Sequence, residues 1–228
     1  MKNKLFFFIL FNCVCLALPA QQREKRPFWK VELEGALNNY DAWEVEPSIT
    51  FLPIQYAGIS LGLLFTQPYL NESISGVSQN QQFLWSSTTD HAASYFLALR
   101  PGLQLNTPKL WVGRDKDYAL YLSISPGLTL PLSANNEFNI DYYPNQTGVW
   151  TAVRREHVSN KGARTVYYHL RTDLSLEVDN GLIFSAGYTC SDFDLFGGSR
   201  NIVIEGKELG LPRHRLMHSF GFSVGYRF

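Results

Sequence analysis

The stretch from His218 to Phe228 reads His-Ser-Phe-Gly-Phe-Ser-Val-Gly-Tyr-Arg-Phe, and its alternation decides the fold. Phe220, Phe222, Val224, Tyr226 and Phe228 take every second position, with Gly221, Ser223, Gly225 and Arg227 between them. Successive side chains of a strand point to opposite faces, so this segment has one apolar face and one small or polar face. The same period of two recurs in seven runs upstream, near residues 29–37, 43–51, 57–66, 94–105, 118–130, 166–178 and 182–189. Eight is an even number, as single-chain bacterial barrels require, and the runs suit the ~9–11 residues of a tilted membrane-crossing strand. The expected fold is therefore all-β: an eight-stranded, antiparallel, up-and-down transmembrane β-barrel.

The connections test this independently. With both ends on one side, connections one, three, five and seven face outward, and three, five and seven are long, near 67–92, 133–164 and 192–215. On the inner side, a turn is expected at Leu52-Pro53 and a hairpin at Asp179-Asn180-Gly181, whose Asn-Gly tolerates positive φ. Connection four, near 106–117, is long for the inner side, and connection one, near 38–42, short for the outer. Pro101-Gly102 and Pro126-Gly127 fall inside two strands, and a missing donor in each ladder predicts bulges or bends there.

The amino terminus reads as a signal peptide over 1–20: Lys2 and Lys4, an apolar run from Leu5 to Leu18, and cleavage after Ala20. That run is shorter than the ~20 residues of a spanning helix. The barrel domain is then 21–228. Without Lys2 and Lys4 the mature chain holds 18 basic residues against 20 acidic ones, and no basic surplus points to nucleic acid. Cys190 is the one cysteine left after cleavage, which excludes an internal disulfide framework.

Signal peptide, eight alternating strands and terminal Phe228 together resemble the small outer-membrane barrels of the OmpX or PorT-like kind found in Bacteroidota. The resemblance implies location in the outer membrane of a Gram-negative cell, contact with its lipid, and recognition of Phe220, Phe222, Val224, Tyr226 and Phe228 by the barrel-assembly machinery. Members of this class are adhesins, integrity proteins, lipid-modifying enzymes and secretion accessories, and fold does not choose among them.

The inward face carries Lys30, Glu32, Glu34, Glu44, Glu46, Arg100, His169, Arg171, Asp173, Glu177 and Arg227. An eight-stranded barrel is just wide enough for its side chains to fill, and charges in such a space need partners or water. The expected arrangement is a structural network of ion pairs; a cation or proton relay at Glu32, Glu34, Glu44 and Glu46 is the sharper alternative. His169, Asp173 and Ser175 share one face but lie about 7 and 13 Å apart along a strand, too far for a triad. No catalytic group, cofactor or metal is expected. The long loops hold Phe83, Trp85, Tyr142, Tyr143 and Trp150, candidate contacts for an envelope protein or glycan. Such aromatics also pack on one another or extend the barrel, and Ile202-Val203-Ile204 favours that extension. The expected role is structural or surface-interactive. The alternatives are an accessory barrel of an envelope secretion or uptake complex, a lipid-modifying outer-membrane enzyme, and a secreted lipocalin-like barrel.

Overall fold

The eight period-two runs become strands along most of their described length. The computed structural model describes residues 28–68, 75–87, 96–113, 117–133, 135–146, 148 and 150–228. The signal-peptide reading of 1–20, and Ser94 and Tyr95, fall outside the described residues. The strands are β1 (Phe28–Asn38), β2 (Ala42–Ile54), β3 (Ala57–Pro68), β4 (Ser75–Val77), β5 (Phe83–Ser87), β6 (Phe96–Asn106), β7 (Leu110–Val112) and β8 (Tyr118–Pro131). They continue with β9 (Glu137–Pro144), β10 (Arg154–Ser159), β11 (Tyr167–Val178), β12 (Leu182–Ser191), β13 (Val203–Ile204), β14 (Lys207–Glu208) and β15 (Met217–Arg227).

Eight of them pair with their neighbours in chain order, β1-β2-β3-β6-β8-β11-β12-β15, all antiparallel. The last closes on the first, from Lys30 opposite Arg227 to Asn38 opposite Ser219. The chain is an all-β, up-and-down barrel of the transmembrane type, without a helix among the described residues.

The two faces sort by chemistry. Leu33, Leu61, Leu122, Leu174, Phe222 and Val224 stand exposed on the outside, whereas Lys30, Glu34, Glu46, Arg100 and Asp173 are buried inside. That inversion overturns the lipocalin-like alternative, which needs an apolar interior around its ligand. Aromatics ring both ends. Trp29 meets Phe51 at 4.7 Å at the inner end, and Trp43 meets Phe65 at 5.3 Å at the outer end. Tyr168 and Tyr118 face outward at opposite ends, and Tyr118 pairs with Val178. Ten residues separate the two levels, roughly 33 Å of strand and ~25 Å of height once tilted, the span of an apolar membrane band.

Two local expectations are corrected. The turn of the second connection falls at Gln55–Tyr56, not at Leu52-Pro53. The strand runs on through Pro53, with a register shift between Phe51 and Ile54, because a bulge tolerates the missing donor. No register shift accompanies Pro101 or Pro126: Gly102 stands opposite Gly127, and the ladder merely loses pairs on either side. Room makes the bulge unnecessary. A Cβ on Gly127 would lie 2.6 Å from the carbonyl oxygen of Pro101 and 2.6 Å from the His169 ring, so two bare backbones pass closely in register. The turn at 179–181 closes with the Gly181 amide donating to the Val178 carbonyl at 2.9 Å.

Candidate functional site: a filled lumen beneath a loop-built sheet

The lumen is filled by ion pairs from end to end. At the inner end Glu177 accepts from Lys109 at 3.0 Å and from Arg227 at 2.7 Å. Lys30 pairs with Glu32 at 2.8 Å. Midway, Arg171 bridges Glu34 and Asp173, the latter at 2.8 Å. Farther out, Arg100 binds Glu46 at 2.7 Å and lies 4.0 Å from Glu44, which also accepts from Asn38 and Ser219. The four glutamates are thus each held by a cation or donor. Arg100 Nε and Nη2 are buried with no hydrogen-bond partner among the described residues and adjoin a cavity of about 30 Å³ that Glu46 and His169 also line. That space suits a water molecule. His169 meets Thr129 at 3.1 Å, Ser175 meets Ser185 at 2.9 Å, and Asp173 is committed to Arg171, so these three do not converge.

Apolar side chains cover both ends. Leu52, Tyr121 and Ile183 are buried at the inner end. At the outer mouth Ala42, Tyr167 and Met217 meet Tyr40, Phe193 and Leu195, with Phe96 and Phe196 packed against them. Phe193 and Leu195 come from the seventh connection, which folds over the barrel. Asp194 between them takes two bonds from Arg200, at 2.5 and 2.6 Å. Sequence reasoning missed this cap, and it missed Lys109; the unusual length of connection four was the signal for the latter.

Loops three and five build one sheet, ordered β10-β9-β5-β4, and loop seven adds the β13–β14 hairpin. One face of the sheet packs Phe138, Ile140 and Tyr142 against Ile202 and Ile204, with Phe83 and Trp85 at the margin. Tyr142 is therefore corrected as a contact residue. It is 1% exposed, donates to Glu156 at 3.0 Å, and its hydroxyl is pushed up to about 12 by burial and then by that bond. Trp85, Tyr143 and Trp150, with Val77 and Leu84, line an open groove of about 570 Å³, and Trp150 is 77% exposed. Beside it, Arg155 grips Asp141 in a two-bond fork of 2.7 and 3.0 Å, which holds that carboxyl below the usual range. The strand β10 also places His157 Nε2 3.6 Å from Glu137, whose ladder partner is Ser159. No hydrogen bond joins Ser159 to His157 among the described residues.

The carboxyl-terminal aromatics Phe220, Phe222, Tyr226 and Phe228, and Val224, all face outward and exposed. Cys190 is half-buried on that outer surface, opposite His218, whose ring meets the Tyr188 hydroxyl at 2.6 Å. Among the described residues no cluster of His, Cys, Asp and Glu could hold a metal.

No protein-family model matches the chain, and no curated protein matches it in sequence. Solved structures do. The N-terminal β-barrel domain of Pseudomonas aeruginosa OprF is 9% identical, with 90% of this chain and 100% of that chain covered and a TM-score of 0.43. Neisserial surface protein A is 11% identical over 88% and 95% of the two chains, with a TM-score of 0.41. The outer membrane enzyme PagL is 6% identical over 86% and 98%, with a TM-score of 0.39. At these scores the likeness is one of general barrel form and says nothing of role.

Proposed function

We propose that this chain is an exported outer-membrane barrel of a Gram-negative envelope, of the OmpX or PorT-like kind, with a structural and surface-contact role. One contrast carries the reading. The lumen is filled with paired charges and covered at both ends, while the outward loops are built into a fixed sheet bearing an aromatic groove of about 570 Å³. A transporter needs an open path, and a contact protein needs a rigid presented face. The flat faces of Trp85, Tyr143 and Trp150 beside the hydroxyl of Ser86 suit the ring faces and hydroxyls of a glycan.

The test begins with a heat-modifiability gel on isolated outer membranes. Faster migration of the unboiled band supports a closed membrane barrel, and recovery in a soluble fraction would overturn it. Soluble oligosaccharides are then titrated against the purified barrel by tryptophan fluorescence, with Trp150→Ala as control. Quenching that Trp150→Ala removes supports the glycan reading. Absence of quenching, with a partner subunit co-purifying in stoichiometric amount, would favour the accessory-barrel alternative. The enzyme alternative rests on Glu137, His157 and Ser159 alone, and an effect of Ser159→Ala on lipid composition would favour it instead.

A further inference from the structure

We infer that the segment from Leu211 to Leu216 is a phosphate-binding strap for outer-leaflet lipid headgroups, with Arg213 and Arg215 as its ligating side chains. Three observations converge. The first is a backbone held in place at several points. Arg200 donates to the carbonyls of Leu211 at 3.4 Å and Pro212 at 2.8 Å. The Tyr40 hydroxyl accepts from the His214 amide at 3.2 Å, and the His214 ring packs edge-on to Tyr40 at 4.6 Å. Asn39 donates to the Leu216 carbonyl at 3.1 Å. A segment without regular structure is thereby fixed to the barrel mouth from two sides.

The second observation is what this fixed backbone presents. Arg213 and Arg215 are exposed, and neither has an ion-pair or hydrogen-bond partner among the described residues. The acids of the neighbouring cap are already engaged: Asp194 with Arg200, and Asp192 with Arg164 at 2.7 Å. Two free guanidinium groups on an anchored backbone lose little order on binding, and their planar forks match phosphate oxygens.

The third is the level at which they stand. Leu216 is followed by Met217, the first residue of β15, and His218 and Phe220 are the first outward side chains of that strand. Phe220 and Tyr188 meet at 4.9 Å in the outer aromatic ring, where side chains sit at headgroup depth. Arg215 precedes His218 by three residues, roughly 10 Å of chain. Basic side chains immediately outside an apolar band attract anionic headgroups. Lipid phosphate is therefore the occupant favoured over a free anion, which has no apolar tail to place beside Leu216 and Phe220.

The inference rests on the outer-membrane reading, which the gel assay tests separately. The barrel, purified in neutral detergent, is titrated with a bis-phosphorylated acylated glucosamine disaccharide, its dephosphorylated form, or inorganic phosphate. Binding is read by the midpoint of heat-induced gel shift and by co-sedimentation. The phosphorylated glycolipid is expected to bind wild type, and Arg213→Ala/Arg215→Ala to bind it at least about tenfold more weakly while keeping its own heat-modifiable migration. The loss should be partly restored in Arg213→Lys/Arg215→Lys. Equal binding of the dephosphorylated lipid, or an unchanged affinity in the alanine pair, would overturn the inference. Equal protection by inorganic phosphate would overturn the choice of lipid as the source.

Discussion

Arg100→Ala isolates what the lumen contributes to stability. The guanidinium side chain is 3% exposed, bound to Glu46 at 2.7 Å and 4.0 Å from Glu44. Glu44 keeps Asn38 and Ser219, but Glu46 keeps no other ion pair among the described residues. Removing one member of a buried pair typically costs about 3–5 kcal/mol, because the remaining charge is left desolvated. For a domain of this length that lowers the unfolding midpoint by roughly 10 °C. The assay is the temperature at which the unboiled band converts to the unfolded one. Arg100→Met/Glu46→Gln should recover at least half of the loss, since it removes both charges and roughly preserves their volume. A drop below ~1 kcal/mol equivalent would mean that the lumen is wet enough to hydrate the orphaned Glu46, and the reasoning that its charge is left desolvated would fail.

Three further outcomes follow from the same geometry. At Gly62 an added Cβ would lie 2.1 Å from Glu46 Oε1, so Gly62→Ala must swing Glu46 away from Arg100; its destabilisation should be non-additive with Arg100→Ala in a double-mutant cycle. Asp141 has a depressed folded-state value, set first by the Arg155 hydrogen bonds. Its contribution is therefore present above ~4, the unfolded value, and is lost as pH falls through the folded one. Protease protection of the loop-built sheet should stay flat from neutral pH to about 5 and fall in stronger acid, and Asp141→Asn should weaken that dependence. Tyr142→Ala empties the core shared by Phe138, Ile140, Ile202 and Ile204, at about 3–5 kcal/mol by analogy with buried aromatics. Because that core lies in the loops, limited proteolysis should cut them while the membrane-embedded strands remain resistant; cleavage within the strands would refute that separation.

Alternation alone carried the barrel into view. A lipid-facing band and a polar lumen must alternate along every strand, so Trp29 to Leu37 or Phe220 to Phe228 declares both faces without knowledge of its neighbours. Only the parity of the register is legible for the same reason, since a one-residue slip would turn Lys30, Glu34 and Glu46 into lipid whereas a two-residue slip would not. Inward parity likewise brought Arg100, Arg171 and Glu177 onto one list. Partner choice was not legible: Arg171 reaches Glu34 from across the barrel, and a strand pattern says nothing of which opposing side chain is long enough to meet it. Proline misled in both directions, because its cost depends on the backbone beside it: Pro53 meets a register shift, while Pro101 passes a glycine.

The sequence by itself determined the eight barrel strands, the two faces of each, most of the charges that line the lumen and the aromatic rings at the membrane edges. These properties follow from a period of two, which a chain cannot hide. Only the tertiary structure decided that Tyr142 is core and Trp150 is surface, that Phe193 and Leu195 close the mouth, and that Arg213 and Arg215 stand free on an anchored strap. Loops have no period, and whether an aromatic or a cation in them is buried or presented depends on which distant segment folds against it.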